Sequence, residues 1–172
     1  MLFLSTSANA ALIERLGGLA YYDDVADLTW LADANYAQTS GFASDGLMTW
    51  QQSMDWVAGL TVGGVDGWRL AESDTCYGFN CTNSEMGGLF YNTLGGVAGS
   101  SITTTHNTNY NVFNNIQSYN YWLATDYAPN TSESWDFLMM NGDQSARPDS
   151  FTHYAWAMQS GDVSAVPVPA AV

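Results

Sequence analysis

Seven Trp, ten Tyr and seven Phe are spread through 172 residues, and 47% of the chain is hydrophobic. Rings of this size are hidden from water only in a packed interior, and the composition is far from the low-hydrophobicity signature of a disordered chain. The sequence therefore specifies a folded body. Its length is that of one ordinary domain with a single core, and two full domains would be cramped.

Charge narrows the partners. Only 12% of residues are charged, and Arg15, Arg69 and Arg147 face 17 acids, with no Lys, for a net charge of -14. A nucleic-acid backbone is held mainly by Lys and Arg that displace counterions, so three scattered Arg argue against it. An anionic membrane surface is disfavoured for the same reason. No apolar run approaches the roughly 18 residues of a membrane-spanning helix, so the chain as given carries no membrane span. Self-repulsion at this charge suits a secreted protein, for which divalent cations are the natural counter-charges.

Cys76 and Cys81 enclose Tyr77-Gly78-Phe79-Asn80. In an oxidising compartment they can close a short loop, and Gly78 eases the turn. A local disulfide is the expectation, with free thiols the alternative. Two Cys plus His106 and His153 lack the spacing of a zinc site.

The ends read as export signals. Met1 to Leu4 are apolar, Ser5 to Ser7 are small and polar, and Ala8-Asn9-Ala10 has the small-x-small form that signal peptidase reads. Residues 1–10 are therefore expected to be a signal-peptide remnant. Residues 163–172 end in Val166-Pro167-Val168-Pro169-Ala170-Ala171-Val172, a stretch that cannot be a helix interior or a central strand and reads as a linker or processing site. Pro167 and Pro169, with the Ala-Ala-Val after them, resemble the start of PEP-CTERM sorting tails. In such tails a spanning helix and a basic cluster follow, and an exosortase of exopolysaccharide-making Gram-negative bacteria processes them. The resemblance implies secretion to, or display on, the surface of such a bacterium. Val168 departs from it by standing where Glu is common.

In the body, Leu19 to Tyr22 and Leu28 to Leu31 read as a first hairpin around Asp23-Asp24-Val25-Ala26-Asp27. Thr49-Trp50-Gln51-Gln52 has the form of a capping box, and Trp50, Met54, Val57 and Ala58 follow at helical spacing, predicting a helix over 49–60. A second helix is expected over 83–94, capped by Asn83 or Ser84, with Met86, Leu89, Phe90 and Leu94 on its apolar face and Gly95 past its end. Residues 95–118 read as a long functional or mobile loop. Strands are expected at 119–125, 135–140 and 154–159, and Asn141-Gly142 should turn the second of these onto residues 144–147. Strands, two helices and then antiparallel strands describe an α+β domain.

Six segments in order carry a family resemblance. They are Trp30-Leu31-Ala32-Asp33-Ala34-Asn35-Tyr36, Met48-Thr49-Trp50, Gly67-Trp68-Arg69-Leu70, Tyr121-Trp122 with Thr125 and Tyr127, Trp135 with Phe137, and Tyr154-Ala155-Trp156-Ala157. Together they resemble the Lcl C-terminal-domain family, one of the C-type-lectin-like folds related to formylglycine-generating enzymes. The resemblance implies a C-type-lectin-like α+β domain over about residues 19–162, with two helices, antiparallel sheets and long loops. It leaves function open, because a fold hosts many activities. Gln159 departs from it by standing where Arg is common, which removes a cation.

No catalytic constellation is legible. Oxidase chemistry of the formylglycine type needs a redox-active Cys pair in a groove, and three-His iron chemistry needs one His more than His106 and His153 supply. No Gly-x-Ser-x-Gly motif occurs. The expectation is a non-enzymatic, exported surface or matrix protein. It would bind a glycan or matrix polymer through a loop face, or else pack against copies of itself as a structural subunit of a filament or sheet. Calcium is a candidate cofactor. Asp23, Asp24 and Asp27 cluster in one turn, and Asn130, Glu133 and Asp136 lie where C-type lectins hold sugar through calcium, although Ala128 replaces the expected Glu. Trp30, Trp50, Trp122 and Trp156 are expected in the core. Tyr110, Tyr127 and Trp135 border polar loops and are the ring candidates for ligand contact, while Arg69 is expected to be a structural hub tied to an acid such as Glu85.

Overall fold

The structure, a computed structural model, describes residues 10–163. The expected signal remnant up to Asn9 and the tail with Pro167 and Pro169 lie outside the described residues.

Strand β1 (Leu12–Arg15) pairs antiparallel with β2 (Ala20–Asp23), and β2 with β3 (Leu28–Leu31). The β2–β3 pair is the expected hairpin. Its turn is tied by Asp23, whose Oδ1 accepts from the backbone N–H groups of Val25 at 3.0 Å and Ala26 at 2.9 Å. β1 lies ahead of the expected domain start at residue 19; four residues with mixed exposure carry too little alternation to be read as a strand.

One-turn helix α1 (Tyr36–Thr39) was not anticipated, whereas α2 (Trp50–Ala58) falls inside the expected 49–60. Its capping box is complete: Thr49 Oγ1 accepts from the Gln52 N–H, and Gln52 Oε1 accepts from the Thr49 N–H at 2.9 Å. The second expected helix begins as α3 (Glu85–Gly88), where Ser84 Oγ accepts from the Gly87 N–H at 3.1 Å. It then widens into a π-turn over Leu89–Thr93. Gly87 and Gly88 carry little helix preference, and burial of Met86, Leu89, Phe90 and Leu94 holds the segment instead.

Strands β4 (Asn120–Asp126), β5 (Glu133–Leu138) and β6 (Asp143–Pro148) form a second antiparallel sheet in sequence order. The Asn141-Gly142 turn sets Leu138 opposite Asp143 and Trp135 opposite Ala146, as expected. The anticipated strand over 154–159 contracts to β7 (Met158–Ser160), which pairs with β3 and completes the first sheet in the order β1-β2-β3-β7. Residues before it pass from one sheet to the other: the Tyr154 carbonyl accepts from the Trp122 N–H at 2.9 Å and the Ala157 carbonyl from the Leu31 N–H at 3.0 Å. A segment that satisfies two sheets in turn cannot extend a ladder in either.

Trp30, Trp122 and Trp156 are buried in the core, as expected, with Trp30 and Trp156 edge to face at 5.5 Å. Trp50 is half-buried, and its N–H donates to the Leu123 carbonyl at 2.8 Å. The 95–118 segment is pinned rather than loose. The Ile102 N–H donates to Met139 O at 3.1 Å and the Asn114 N–H to Ala32 O at 2.7 Å, while the Ile102 and Phe113 side chains are buried. Two antiparallel sheets with a few short helices make this a small α+β domain.

Candidate functional site

Three aromatic rings converge where the disulfide loop meets the second sheet. Tyr127 stands edge-on to Trp135 at 5.1 Å, and Tyr77 approaches Trp135 at 5.7 Å and Tyr127 at 6.5 Å. They border a cleft of about 350 Å³ that Asp74, Thr125 and Asp126 also line. Clefts of 390 Å³ beside Asp23 and 360 Å³ beside Phe42 are no smaller, so volume does not single out the site. The polar atoms do. Among the described residues, none accepts from the Trp135 N–H, and none bonds the Tyr77 or Tyr127 hydroxyl. Ser73, which also lines the cleft, has a buried Oγ without a partner there.

Each wall has a local cause. Between Trp122 and Asp126 the β4–β5 register shifts, and such a bulge re-aims side chains. Here it carries Thr125 and Asp126 to the cleft, and Thr125 Oγ1 accepts from the Ser73 N–H at 3.2 Å. Tyr127 is fixed by its N–H on the Glu133 carbonyl at 2.8 Å. Tyr77 is held from both sides. The Cys76–Cys81 disulfide is present, with Cα atoms 5.5 Å apart. Gly78 exchanges two backbone bonds with buried Gln144, at 2.7 and 2.8 Å. Gly78 adopts a φ of 98°, a region that side chains with a Cβ avoid, and Gln144 Nε2 donates to the Cys76 carbonyl at 2.7 Å.

Of the residues expected to touch ligand, Tyr127 and Trp135 line this cleft together, but Trp135 is buried rather than loop-bordering and offers only part of its ring. Asp136 departs furthest. The alternation of β5 turns it to the opposite face from Trp135, where it is fully buried and accepts from Ser145 Oγ at 2.8 Å and from Asn120 Nδ2. Exposed Asn130 uses its side-chain oxygen inside its own turn, on the Ser132 N–H at 3.3 Å. Glu133 opens β5 opposite Pro148. The calcium-loop geometry expected of Asn130, Glu133 and Asp136 is therefore broken by strand parity. Tyr110 lies elsewhere, on the 3-10 turn Thr108–Val112, stacked on His106 at 3.9 Å. Tyr77 was missed, and its signal was visible: an aromatic residue between two Cys in a tight loop has little core to enter.

The acidic turn is likewise spoken for. Beyond its turn bonds, buried Asp23 accepts from Thr93 Oγ1, Asp24 accepts from the Ala11 N–H at 2.9 Å, and Asp27 accepts from the Tyr22 hydroxyl at 2.8 Å. Among the described residues, no three His, Cys, Asp or Glu side chains gather as a metal site would require. Arg69 is the expected hub: its guanidinium grips Glu85 with two bonds of 2.7 Å and donates to the Leu70 carbonyl at 3.0 Å and Ser160 Oγ at 2.7 Å. The paired carboxylate raises its pKa further. Gln159, in place of a cation, donates to the Asp66 carbonyl at 2.7 Å. His153 is buried 3.5 Å from Asp136, and burial pushes its pKa below the usual value.

No helix of the described residues is long and apolar enough to cross a membrane. No curated protein matches the chain. Residues 20–159 match the Lcl C-terminal domain, a span that includes the second sheet, the first sheet except β1 and the last residue of β7, all three helices and the cleft's walls. Membership points to an extracellular or surface-related protein. The ordered motifs, the α+β architecture and this match agree that the chain belongs to the Lcl C-terminal domain family.

Proposed function

We propose that the protein is an exported, non-catalytic adhesion or matrix component of a Gram-negative bacterial surface, and that it holds a glycan or matrix polymer at the Tyr77–Tyr127–Trp135 cleft. The observation that carries this reading is the convergence of three aromatic rings, one of them 59% exposed, on a single open cleft. The Trp135 N–H and the Tyr77 and Tyr127 hydroxyls make no hydrogen bond to the described residues, so a ligand can meet them. A polyhydroxyl ligand supplies those bonds while its apolar faces lie on the rings, and a concave site with few convergent polar groups suits such a ligand.

Ordering of the site favours binding as well. The disulfide and the Gly78–Gln144 pair fix Tyr77 before any ligand arrives, so little conformational entropy is lost on association. The reading needs no metal. A glycan array spanning neutral, cationic and acidic polymers, run with the intact chain and with Tyr77→Ala, tests it. Binding that Tyr77→Ala removes supports the proposal, and binding indifferent to Tyr77 contradicts it.

A further inference from the structure

We infer that the cleft selects a cationic glycan, one that bears unsubstituted amino groups, over neutral or acidic polymers. The inference rests on reading the cleft as a glycan site and adds the ligand's charge. Two carboxylates stand beside the rings. Asp74 is fixed in place, its Oδ1 accepting from the Cys76 N–H at 3.2 Å and from Gln144 Nε2 at 3.1 Å, and Asp126 is exposed at the end of β4.

No cation offsets them. The chain has no Lys and three Arg. Arg15 is paired with Asp162 at 2.7 Å and Arg69 with Glu85. Arg147 sits opposite Ser134 in the β5–β6 register, and so on the face of the sheet away from Trp135. The cleft thus joins electron-rich ring faces, which attract ammonium groups, to two acids in a molecule of net charge -14. A sulfated or uronate polymer meets only repulsion there. An amino sugar places its ring on Tyr77 and Trp135 and its ammonium between Asp74 and Asp126.

Calorimetry at low salt on the intact chain, with tetramers of glucosamine, N-acetylglucosamine and a uronate, tests the inference. Glucosamine tetramer should bind about tenfold more tightly than its acetylated form, and the uronate should bind most weakly. Asp126→Asn should cost the amine tetramer about fivefold in affinity, and high salt should narrow the preference. Glu14→Gln removes an exposed acid from β1 in the other sheet and should change affinity less than about twofold. Equal affinity for amine and acetylated tetramers overturns the inference, as does a loss from Glu14→Gln matching that from Asp126→Asn, which would mean bulk charge alone. If Tyr77→Ala weakens acetylated-tetramer binding while no amine preference exists, the charge selection fails and the glycan site stands. If no tetramer responds to Tyr77→Ala, both fail.

Discussion

Trp156 and Trp135 are both buried, yet they are held differently. Trp156 is enclosed by Trp30, Phe113 and Tyr121, and its N–H ends on the Leu31 carbonyl at 2.8 Å. Trp135 has Tyr77 and Tyr127 on its open side, and Tyr77 is 59% exposed. The first cluster is closed to everything but itself. The second is packed on one side and open to the cleft on the other. The same residue types thus serve stability in one place and, in the proposed reading, recognition in the other, and the difference lies in whether packing closes around the rings.

Truncation should separate the two clusters most sharply. Trp156→Ala opens a cavity between both sheets and removes the bond to Leu31, so urea denaturation should show a loss of about 3–5 kcal/mol. A loss below about 1 kcal/mol would mean the two clusters do not differ as described. Arg69→Ala leaves Glu85 half-buried without its partner and should cost about 2 kcal/mol by the same measurement, without touching the cleft.

Reduction of Cys76–Cys81 acts on the other side of the comparison. The closed loop is short, so the stability lost should be modest, about 2 kcal/mol, while ligand affinity falls because Tyr77 loses its anchor. Equal affinity in the reduced and oxidised protein would show that the Gly78–Gln144 pair positions Tyr77 unaided.

A smaller effect comes from pH. Burial holds the folded pKa of His153 below its ordinary value of 6.5, against the opposing pull of Asp136, and Arg147 lowers it further. The unfolded chain therefore takes up that proton first. Stability from this group is complete above the unfolded value near 6.5 and is lost as pH falls from there toward the folded value. The slope cannot exceed about 1.4 kcal/mol per pH unit. Denaturation midpoints measured from pH 7.5 to 5 should decline in the wild type and flatten in His153→Gln, with ligand affinity per folded molecule unaffected. Smallest of all, Tyr77→Ala should change stability by less than about 0.5 kcal/mol and yet remove binding.

Much of the fold was legible because its causes are local. The Thr49–Gln52 capping box, the Asn141-Gly142 turn and the spacing of Met86, Leu89, Phe90 and Leu94 each lie within a dozen residues. The tie between Arg69 and Glu85 was readable from chemistry, since a five-donor fork in an acid-rich chain has carboxylates as its strongest partners. The site was only half legible. Tyr127 and Trp135 were singled out by nearness to polar loops, and the structure sets both against one cleft, with Trp135 buried. Asp136 was misplaced because its direction depends on strand parity, which one shifted residue inverts. Tyr77 was readable from its place between Cys76 and Cys81, whereas its anchor, Gln144, lies far along the chain and was not. The ties of the 95–118 loop were not legible for a related reason: Met139 and Ala32, which pin it, are distant in sequence.

The central claim is that the Tyr77–Tyr127–Trp135 cleft is a ligand site while Trp122 and Trp156 belong to the core. The indole N–H resonances of a ¹⁵N-labelled chain test it most directly during titration with glucosamine tetramer. The Trp135 indole signal should shift in a saturable manner, because its ring lines the cleft. Those of Trp122 and Trp156, bonded to the Met48 and Leu31 carbonyls, should stay in place. A Trp135 signal that remains fixed at saturating tetramer, or shifts confined to the core indoles, would contradict the account.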